Sequence, residues 1–112
     1  MTQDDCIAEH LKHNHFGEEN IVVSKQLESF FNLPGSELRR SVNRLRGNGV
    51  PICSSDHGYF YAATESELKR TIYQLRSRIK NISRAEKGLS KALECMSSTN
   101  QLSLPLDGGE ID

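Results

Sequence analysis

The sequence contains no tryptophan, only three prolines and three cysteines, and no apolar run of the roughly 18 residues that a membrane span requires. Aromatic residues make up 6% of its 112 residues, so we expect one domain with a small hydrophobic core and flanking segments. The first residues, MTQDDC, are polar and acidic, which predicts that no secretory signal is present. Cys6, Cys53 and Cys95 show no CxxC spacing, so reduced cytosolic thiols are expected.

The sequence also lacks the residue sets that common catalytic sites need. No nucleotide-binding loop, Ser–His–Asp set or pair of catalytic acids can be assembled, so neither an enzyme nor a cofactor is predicted. Cys6, His10 and His13 could share one helix face, with His15 close by. They lack the second ligand pair of a structural zinc site and a carboxylate triad, so no metal site is predicted.

What the chain does have is a segregation of charge that its net charge of −1 conceals. Residues 1–33 carry six acids and two bases, and residues 92–112 carry four acids and no base. Residues 34–91, in contrast, carry twelve bases and five acids. A basic centre between acidic ends is expected if one surface meets a polyanion. Ordinary solvated helix faces would give the same distribution, so charge alone leaves both interpretations open.

Apolar periodicity in the first third of the chain predicts two short helices. The first covers about residues 2–13 and is followed by a loop over residues 14–20. The β-branched run at residues 21–23 is long enough for a one-bridge strand only. Ser24 is then the expected N-cap of a second helix that runs to about Asn32.

A third helix follows a turn at residues 33–35, with Ser36 as its expected N-cap. Leu38, Val42 and Leu45 repeat at i, i+4 and i+7, which predicts that they face the core, and the glycines around Asn48 end the helix. The opposite face is then expected to present Glu37, Arg40, Ser41 and Arg44, with Arg39 and Asn43 at its edge. Arg46 is the candidate for a cation at the helix end, where it suits the helix dipole.

Two short strands, at residues 52–54 and 59–62, flank a turn at residues 56–58 and predict a β-hairpin directly after the third helix. In this order the sequence resembles the winged-helix family, in the form V-N-x-L-R-x-x-G-x-P-I … G-Y-F-x-A of biotin-repressor-like regulators and small phage-encoded proteins. The resemblance covers about residues 5–65. The matching residues are Val42, Asn43, Leu45, Arg46, Gly49, Pro51, Ile52, Gly58, Tyr59, Phe60 and Ala62.

This resemblance implies a mainly α fold with a small hairpin, and binding to double-stranded DNA with the third helix in the major groove. Arginine forks match guanine edges and phosphates, and asparagine can pair with adenine. The expected DNA-contacting residues are Arg39, Arg40, Asn43 and Arg44 on the helix, and Ser54, Ser55 and His57 at the wing. The alternative is a winged helix that makes protein contacts only.

A capping box at Thr64 and Glu67 predicts the start of a long helix over residues 64–97. Its apolar positions alternate in steps of four and three, with Glu86 as the polar interruption, which favours a coiled coil. A homodimer is the first choice, and another partner or a chain folded back near Gly88 are the alternatives. The predicted interface is Leu68, Ile72, Leu75, Ile79, Ile82, Leu89 and Leu93.

The tail, residues 98–112, is polar, acidic and Gly-rich around an apolar hexamer, so it is expected to be flexible. The hexamer QLSLPL, residues 101–106, resembles the motif that binds the bacterial DNA polymerase III β sliding clamp. The resemblance implies a polar contact from Gln101 at the groove rim and apolar anchors at Leu102, Leu104 and Leu106. Pro105 would hold the segment extended.

Together these features predict a DNA-binding domain at residues 1–63, a dimerisation helix at 64–97 and a clamp-binding tail. The leading hypothesis is a DNA-binding adaptor, encoded by a phage or prophage, that acts in DNA replication or its control. Its partners would be double-stranded DNA, the clamp and a second copy, in the bacterial or host cytosol and away from membranes. The alternatives are a transcriptional repressor with an incidental tail, and an inhibitor of host replication or of a nucleic-acid enzyme.

Overall fold

The computed structural model describes residues 1–99, which are mainly helical with one antiparallel hairpin, as the sequence predicts at this level. The elements, in chain order, are α1 (Gln3–Asn14), a 3-10 turn (Glu18–Asn20), α2 (Ser24–Phe31), α3 (Gly35–Gly47), β1 (Ile52–Ser55), β2 (Gly58–Tyr61) and α4 (Glu65–Thr99).

Helix α1 begins with a capping box between Thr2 and Asp5. The Asp5 backbone N–H donates to Thr2 Oγ1 at 3.1 Å, and the Thr2 backbone N–H donates to Asp5 Oδ2 at 3.1 Å. Both bonds satisfy donors that have no partner within a helix end. Ile7 and Leu11, one turn apart, are fully buried, so α1 contributes one face to the core.

The predicted N-caps of α2 and α3 are wrong. Val23 occupies the N-cap of α2, and Ser24, the first helical residue, donates its hydroxyl to Glu28 Oε2 at 3.0 Å. Pro34 occupies the N-cap of α3, which places Ser36 inside the first turn. In both helices an apolar residue's carbonyl accepts the first helical hydrogen bonds, at 3.0 Å for Val23 and 3.0 Å for Pro34. In both helices the backbone hydrogen bonds therefore begin at a residue that precedes the serine.

The link between α2 and α3 depends on Asn32, which is also where α2 stops one residue short of its predicted end. Asn32 lies in the left-handed region at φ 54° and forms the C-cap of α2. Asparagine tolerates this conformation better than most residues. The next N–H, of Leu33, returns to the Glu28 carbonyl at 2.9 Å, so the chain turns tightly into α3.

The hairpin pairs Ile52 with Tyr61 and Ser55 with Gly58 at its two ends. Val22 forms an isolated antiparallel bridge with Tyr59, which confirms the predicted one-bridge strand. Gly58 has φ 142°, and a Cβ at this position would collide with the Val22 carbonyl. Glycine is therefore required where the bridge brings the two backbones together.

The core lies where α1, α2, α3 and the hairpin meet, and the predicted core face of α3 is confirmed by the burial of Leu38, Val42 and Leu45. Partly buried side chains, among them Phe31, Val50 and Tyr61, pack around it. The buried members of this cluster are Ile7, Leu11, Val22, Leu27, Leu38, Val42, Leu45 and Ile52.

Helix α4 starts at the predicted capping box, with the Glu67 N–H donating to Thr64 Oγ1 at 3.2 Å and the Thr64 N–H to Glu67 Oε1 at 3.3 Å. The helix is continuous through Gly88, so a fold-back at that residue is wrong. The chain divides into two compact units, Met1–Gln74 and Leu75–Asp112. None of the helices that the structure describes is both long and apolar enough to span a membrane. The predicted clamp residues, Gln101 to Leu106, lie outside the described part of the chain.

Candidate nucleic-acid interface

Burial of its core face fixes which side of α3 meets solvent. Leu38, Val42 and Leu45 each have 4% or less of their surface exposed. A helix turns by about 100° per residue, so Arg39 and Asn43, four positions apart, lie close together on the solvent side. Both are exposed, and neither forms a hydrogen bond or ion pair within residues 1–99. These two side chains are available to a ligand as they stand.

Arg40 is also exposed, but it has a partner on its own helix. Its Nη1 donates to Glu37 Oε2 at 2.6 Å, between positions i and i+3. Such an exposed pair contributes little to stability and is readily exchanged for another anion. Arg40 can therefore reach a phosphate once it leaves Glu37, whose carboxylate would then lie nearby.

Arg44, the third predicted arginine, binds Asp4 of α1. Its Nε donates to Asp4 Oδ2 at 2.9 Å and its Nη2 to Asp4 Oδ1 at 3.1 Å, a bidentate arrangement. These hydrogen bonds are the main cause that lowers the pKa of the Asp4 carboxyl and raises the pKa of the Arg44 guanidinium. Asp4 lies 40 positions from Arg44 in the sequence, so local periodicity does not predict this pair.

Ser41 is buried, with 4% of its surface exposed, so its predicted place on the solvent face is wrong. It follows Leu38 by three residues and precedes Leu45 by four, so it shares the stripe that packs inward. Its hydroxyl accepts a hydrogen bond from Arg44 Nη2 at 3.1 Å. Ser41 therefore positions the arginine.

Arg46 joins α3 to the hairpin. Its Nε donates to the Ile52 carbonyl at 2.9 Å, and its Nη2 donates to Ser54 Oγ at 3.1 Å. Arg46 thus lies in the last turn of α3, as predicted, and its side chain forms hydrogen bonds with β1. Because the guanidinium is planar, two such bonds restrict how the hairpin is oriented on the helix.

The predicted wing residues are therefore not equivalent. Ser54 is half-buried and already accepts from Arg46, while its N–H donates to Thr71 Oγ1 at 3.4 Å. Ser55 Oγ accepts the His57 backbone N–H at 3.1 Å and stabilises the turn. Among the three predicted wing residues, the structure leaves the His57 side chain exposed at the tip.

Glu67 holds the start of α4 on the first compact unit. Its Oε1 accepts the Ala63 N–H at 2.8 Å, and its Oε2 accepts the Glu18 N–H at 3.0 Å. These backbone hydrogen bonds, that of Glu18 foremost, lower the pKa of the Glu67 carboxyl. Arg70 adds an ion pair with Glu18 at 2.7 Å. The start of α4 is thus anchored by polar contacts from Glu67 and Arg70.

The Cys53 thiol points into the same region. It is buried and donates to the Glu67 carbonyl at 3.6 Å, and burial raises its pKa. A buried thiol with a raised pKa is a poor nucleophile, so a packing role is indicated. Within residues 1–99, no group of three or more Cys, His, Asp or Glu side chains is placed to hold a metal ion.

Most of the predicted dimer residues are exposed along α4. Leu68 and Leu75 are half-buried, and Ile72 has 38% of its surface exposed. Ile79, Ile82, Leu89 and Leu93 have 59% to 72% of their surfaces exposed. The apolar stripe of the second unit therefore has no cover within the described chain.

Comparison of the chain with protein-family profiles, with characterised proteins and with solved structures found no match.

Proposed function

We propose that this chain is a winged-helix DNA-binding adaptor, in which α3 enters the major groove, the β1–β2 hairpin is the wing, and the tail docks on the bacterial sliding clamp. The observation that carries the DNA assignment is the pair Arg39 and Asn43, exposed one turn apart on α3 and without partners in residues 1–99. Arginine reads guanine or binds phosphate, and asparagine reads adenine.

The contacts that hold α3 in place favour this proposal. Three core residues fix one face of the helix, and the two Arg46 hydrogen bonds fix the hairpin beside its C-terminal end. Contacts to base edges need side chains held on a rigid element, because a mobile helix would lose them to entropy. His57, at the hairpin tip, would meet the backbone or the minor groove.

The second part of the proposal is that α4 pairs with α4 of a second copy as a coiled coil. Ile72 and Ile79 fall at a positions, and Leu75 and Leu89 fall at d positions, as in two-stranded coiled coils, whereas Leu93 at a and Ile82 at d depart from that pattern. The positions that flank the seam in its second half are small or uncharged: Ser83, Ala85, Ser90 and Ala92. In this half of the seam two such helices could approach closely without repulsion between flanking charges, while the flanking positions of the first half include Lys69, Arg76 and Arg78.

The clamp assignment depends on the QLSLPL hexamer, residues 101–106, and thus on the sequence alone. Its position behind a DNA-binding domain suits a tether that places the protein beside a loaded clamp. Coupling DNA replication, or its control, to that clamp would be the function. A phage or prophage origin belongs to this same proposal, since small phage-encoded proteins share the resemblance.

The DNA assignment is tested by the fluorescence anisotropy of a labelled 25-base-pair duplex of random sequence at several salt concentrations. We expect salt-sensitive binding that Arg39→Gln/Asn43→Ala weakens about three- to tenfold, with the log–log salt slope reduced by about 0.9 for one lost phosphate contact. Arg78→Gln/Asn81→Ala, which changes the same residue types on α4, is the matched control. Absence of salt-sensitive binding by the wild type would remove the DNA assignment.

The clamp assignment is tested by titrating purified β clamp with the full chain. We expect Gln101→Ala/Leu104→Ala to abolish binding, and Ser103→Ala, inside the same hexamer, to leave it unchanged. Equal binding by the double variant and the wild type, or no binding by either, contradicts the adaptor and favours a plain repressor. Clamp binding without salt-sensitive DNA binding would instead identify an inhibitor of replication.

A further inference from the structure

The distribution of charge along α4 is one-sided. Residues 68–93 contain eight bases and a single acid, Glu86. That acid lies on the apolar stripe of the helix, where it accepts a hydrogen bond from Ser90 Oγ at 3.1 Å. The bases of this segment therefore have no carboxylate among them on the polar side.

Five of these bases, all in the second compact unit, form what we call the basic stripe: Arg76, Lys80, Arg84, Lys87 and Lys91. At about 100° per residue they fall within an arc of about 80°, and at about 1.5 Å per residue they extend over about 22 Å. All five are exposed, and none pairs with a carboxylate in residues 1–99. The stripe is thus a continuous row of unneutralised cations.

Such a row is unfavourable for an isolated helix. Arg76 and Lys80, Lys80 and Arg84, and Lys87 and Lys91 are like charges at i and i+4, a spacing that destabilises a helix. A helix that needs charge only for solubility would place acids between them and gain from the ion pairs. The stripe therefore points to a polyanionic ligand that offsets the repulsion.

We propose that the basic stripe binds the phosphate backbone of duplex DNA, as a second contact surface that does not read sequence. Duplex DNA carries one negative charge per about 1.7 Å of its axis with both strands counted, so a length of about 22 Å holds about a dozen phosphates, part of which lie on the side that a helix can face. The inference depends on the proposed function in taking DNA as the polyanion, but it does not depend on α3.

The position of the apolar stripe favours a nucleic acid over an anionic membrane. The exposed residues Ile79, Leu89 and Leu93 lie on another side of the helix, on average about 140° from the centre of the basic stripe. If the apolar stripes of two α4 helices are buried against each other, as proposed above, none is left to insert into lipid, and this favours a nucleic acid over an anionic membrane. In that coiled coil Lys80, Arg84, Lys87 and Lys91 fall at b and f positions, which face outward, while Arg76 falls at an e position beside the seam.

The test measures duplex binding by the full chain as a function of salt. Lys80→Gln/Arg84→Gln is expected to lower the log–log salt slope by about 1.8, the value for two lost phosphate contacts, and to weaken binding several-fold at low salt. Lys12→Gln/Arg78→Gln removes one lysine and one arginine outside the stripe and is expected to leave the slope near that of the wild type. Circular dichroism of both variants checks that α4 remains helical.

The outcomes separate this inference from the α3 assignment. If the stripe variant and its control have the same slope, the inference is overturned, and the Arg39→Gln/Asn43→Ala variant still tests α3 by itself. If the stripe variant weakens binding and the α3 variant does not, the stripe stands and the α3 assignment falls. Loss of binding to vesicles containing anionic phosphatidylglycerol, with duplex binding unchanged, would overturn the inference in favour of a membrane surface.

Discussion

Asp4, in the first turn of α1, holds Arg44, in the last turn of α3, through two hydrogen bonds of 2.9 and 3.1 Å. The pair ties the N-terminal helix to the helix that carries the candidate interface. The pair also means that Arg44, a candidate for DNA contact, already has an acidic partner within the protein. A phosphate that binds Arg44 must compete with Asp4.

Replacing Asp4 by Asn should therefore strengthen DNA binding, because Arg44 would lose its competitor and the surface one negative charge. An exposed ion pair has a modest coupling, so we expect the dissociation constant for random duplex to fall roughly two- to fivefold at low salt. Anisotropy titrations measure it. Glu19→Gln, which removes one exposed acid from the 3-10 turn, serves as the charge-matched control. An unchanged or weaker affinity for Asp4→Asn, relative to that control, would mean that Arg44 does not contact DNA.

The Glu67 carboxylate should make stability fall in acid. Its pKa in the folded protein lies below the ordinary value of 4.5, because it accepts backbone hydrogen bonds from Glu18, Ala63 and Thr64. The unfolded chain therefore binds the proton more readily than the folded protein. The contribution of the Glu67 carboxylate to stability is complete above the ordinary pKa of 4.5, and it is lost as the pH falls through the lowered pKa of the folded state.

Thermal unfolding of Glu67→Gln between pH 7 and pH 3 tests this expectation. The variant should be less stable than the wild type at pH 7, and the difference should narrow as the pH falls below about 4.5. Glu65→Gln is the control, because it changes the same residue type two positions earlier. The Glu65 carboxylate is exposed, and its ion pair with Lys69 Nζ is long, at 3.9 Å. A Glu67 difference that stays constant with pH would show that the charge of the carboxylate is not what stabilises the fold.

Gly58→Ala should disrupt the hairpin and its bridge to Val22. The added Cβ would meet the Val22 backbone at a φ of 142°, so either the bridge or the turn must open. We expect a loss of at least about 3 kcal/mol in the free energy of unfolding, measured by urea denaturation. Gly47→Ala, at the end of α3 with open space around it, should be neutral or stabilising by up to about 1 kcal/mol. Similar values for the two variants would contradict the steric argument.

The exposed apolar stripe of α4 predicts self-association. Ile79→Asp should convert a dimer to a monomer in sedimentation equilibrium, because a carboxylate cannot be buried in the seam without a partner. Glu86→Leu should have the opposite effect and lower the dissociation constant, since it replaces the polar interruption by an apolar residue. Ser77→Asp, on the polar side of the helix, is the control. A mass that stays the same in all three variants would exclude the coiled coil.

Much of the fold could be predicted from local signals. The apolar repeat of Leu38, Val42 and Leu45 predicted the buried face of α3, and the Thr64–Glu67 capping box predicted the start of α4. Both signals act over one or two turns of helix, where the geometry is nearly independent of the rest of the chain. The β-branched run around Val22 and the glycine turn before Tyr59 likewise predicted their elements, and Val22 and Tyr59 pair with each other.

The tertiary structure decided which side chains of the candidate site are available. It brought Asp4 to Arg44 across 40 positions, Arg46 to Ser54 across the end of α3, and Glu67 to Glu18 across 49 positions. The sequence could not rank these arginines, because their partners come from other elements and depend on how those elements pack. It did determine that Arg39 and Asn43 share a face, since helical periodicity alone places residues four apart together, and packing left that face exposed.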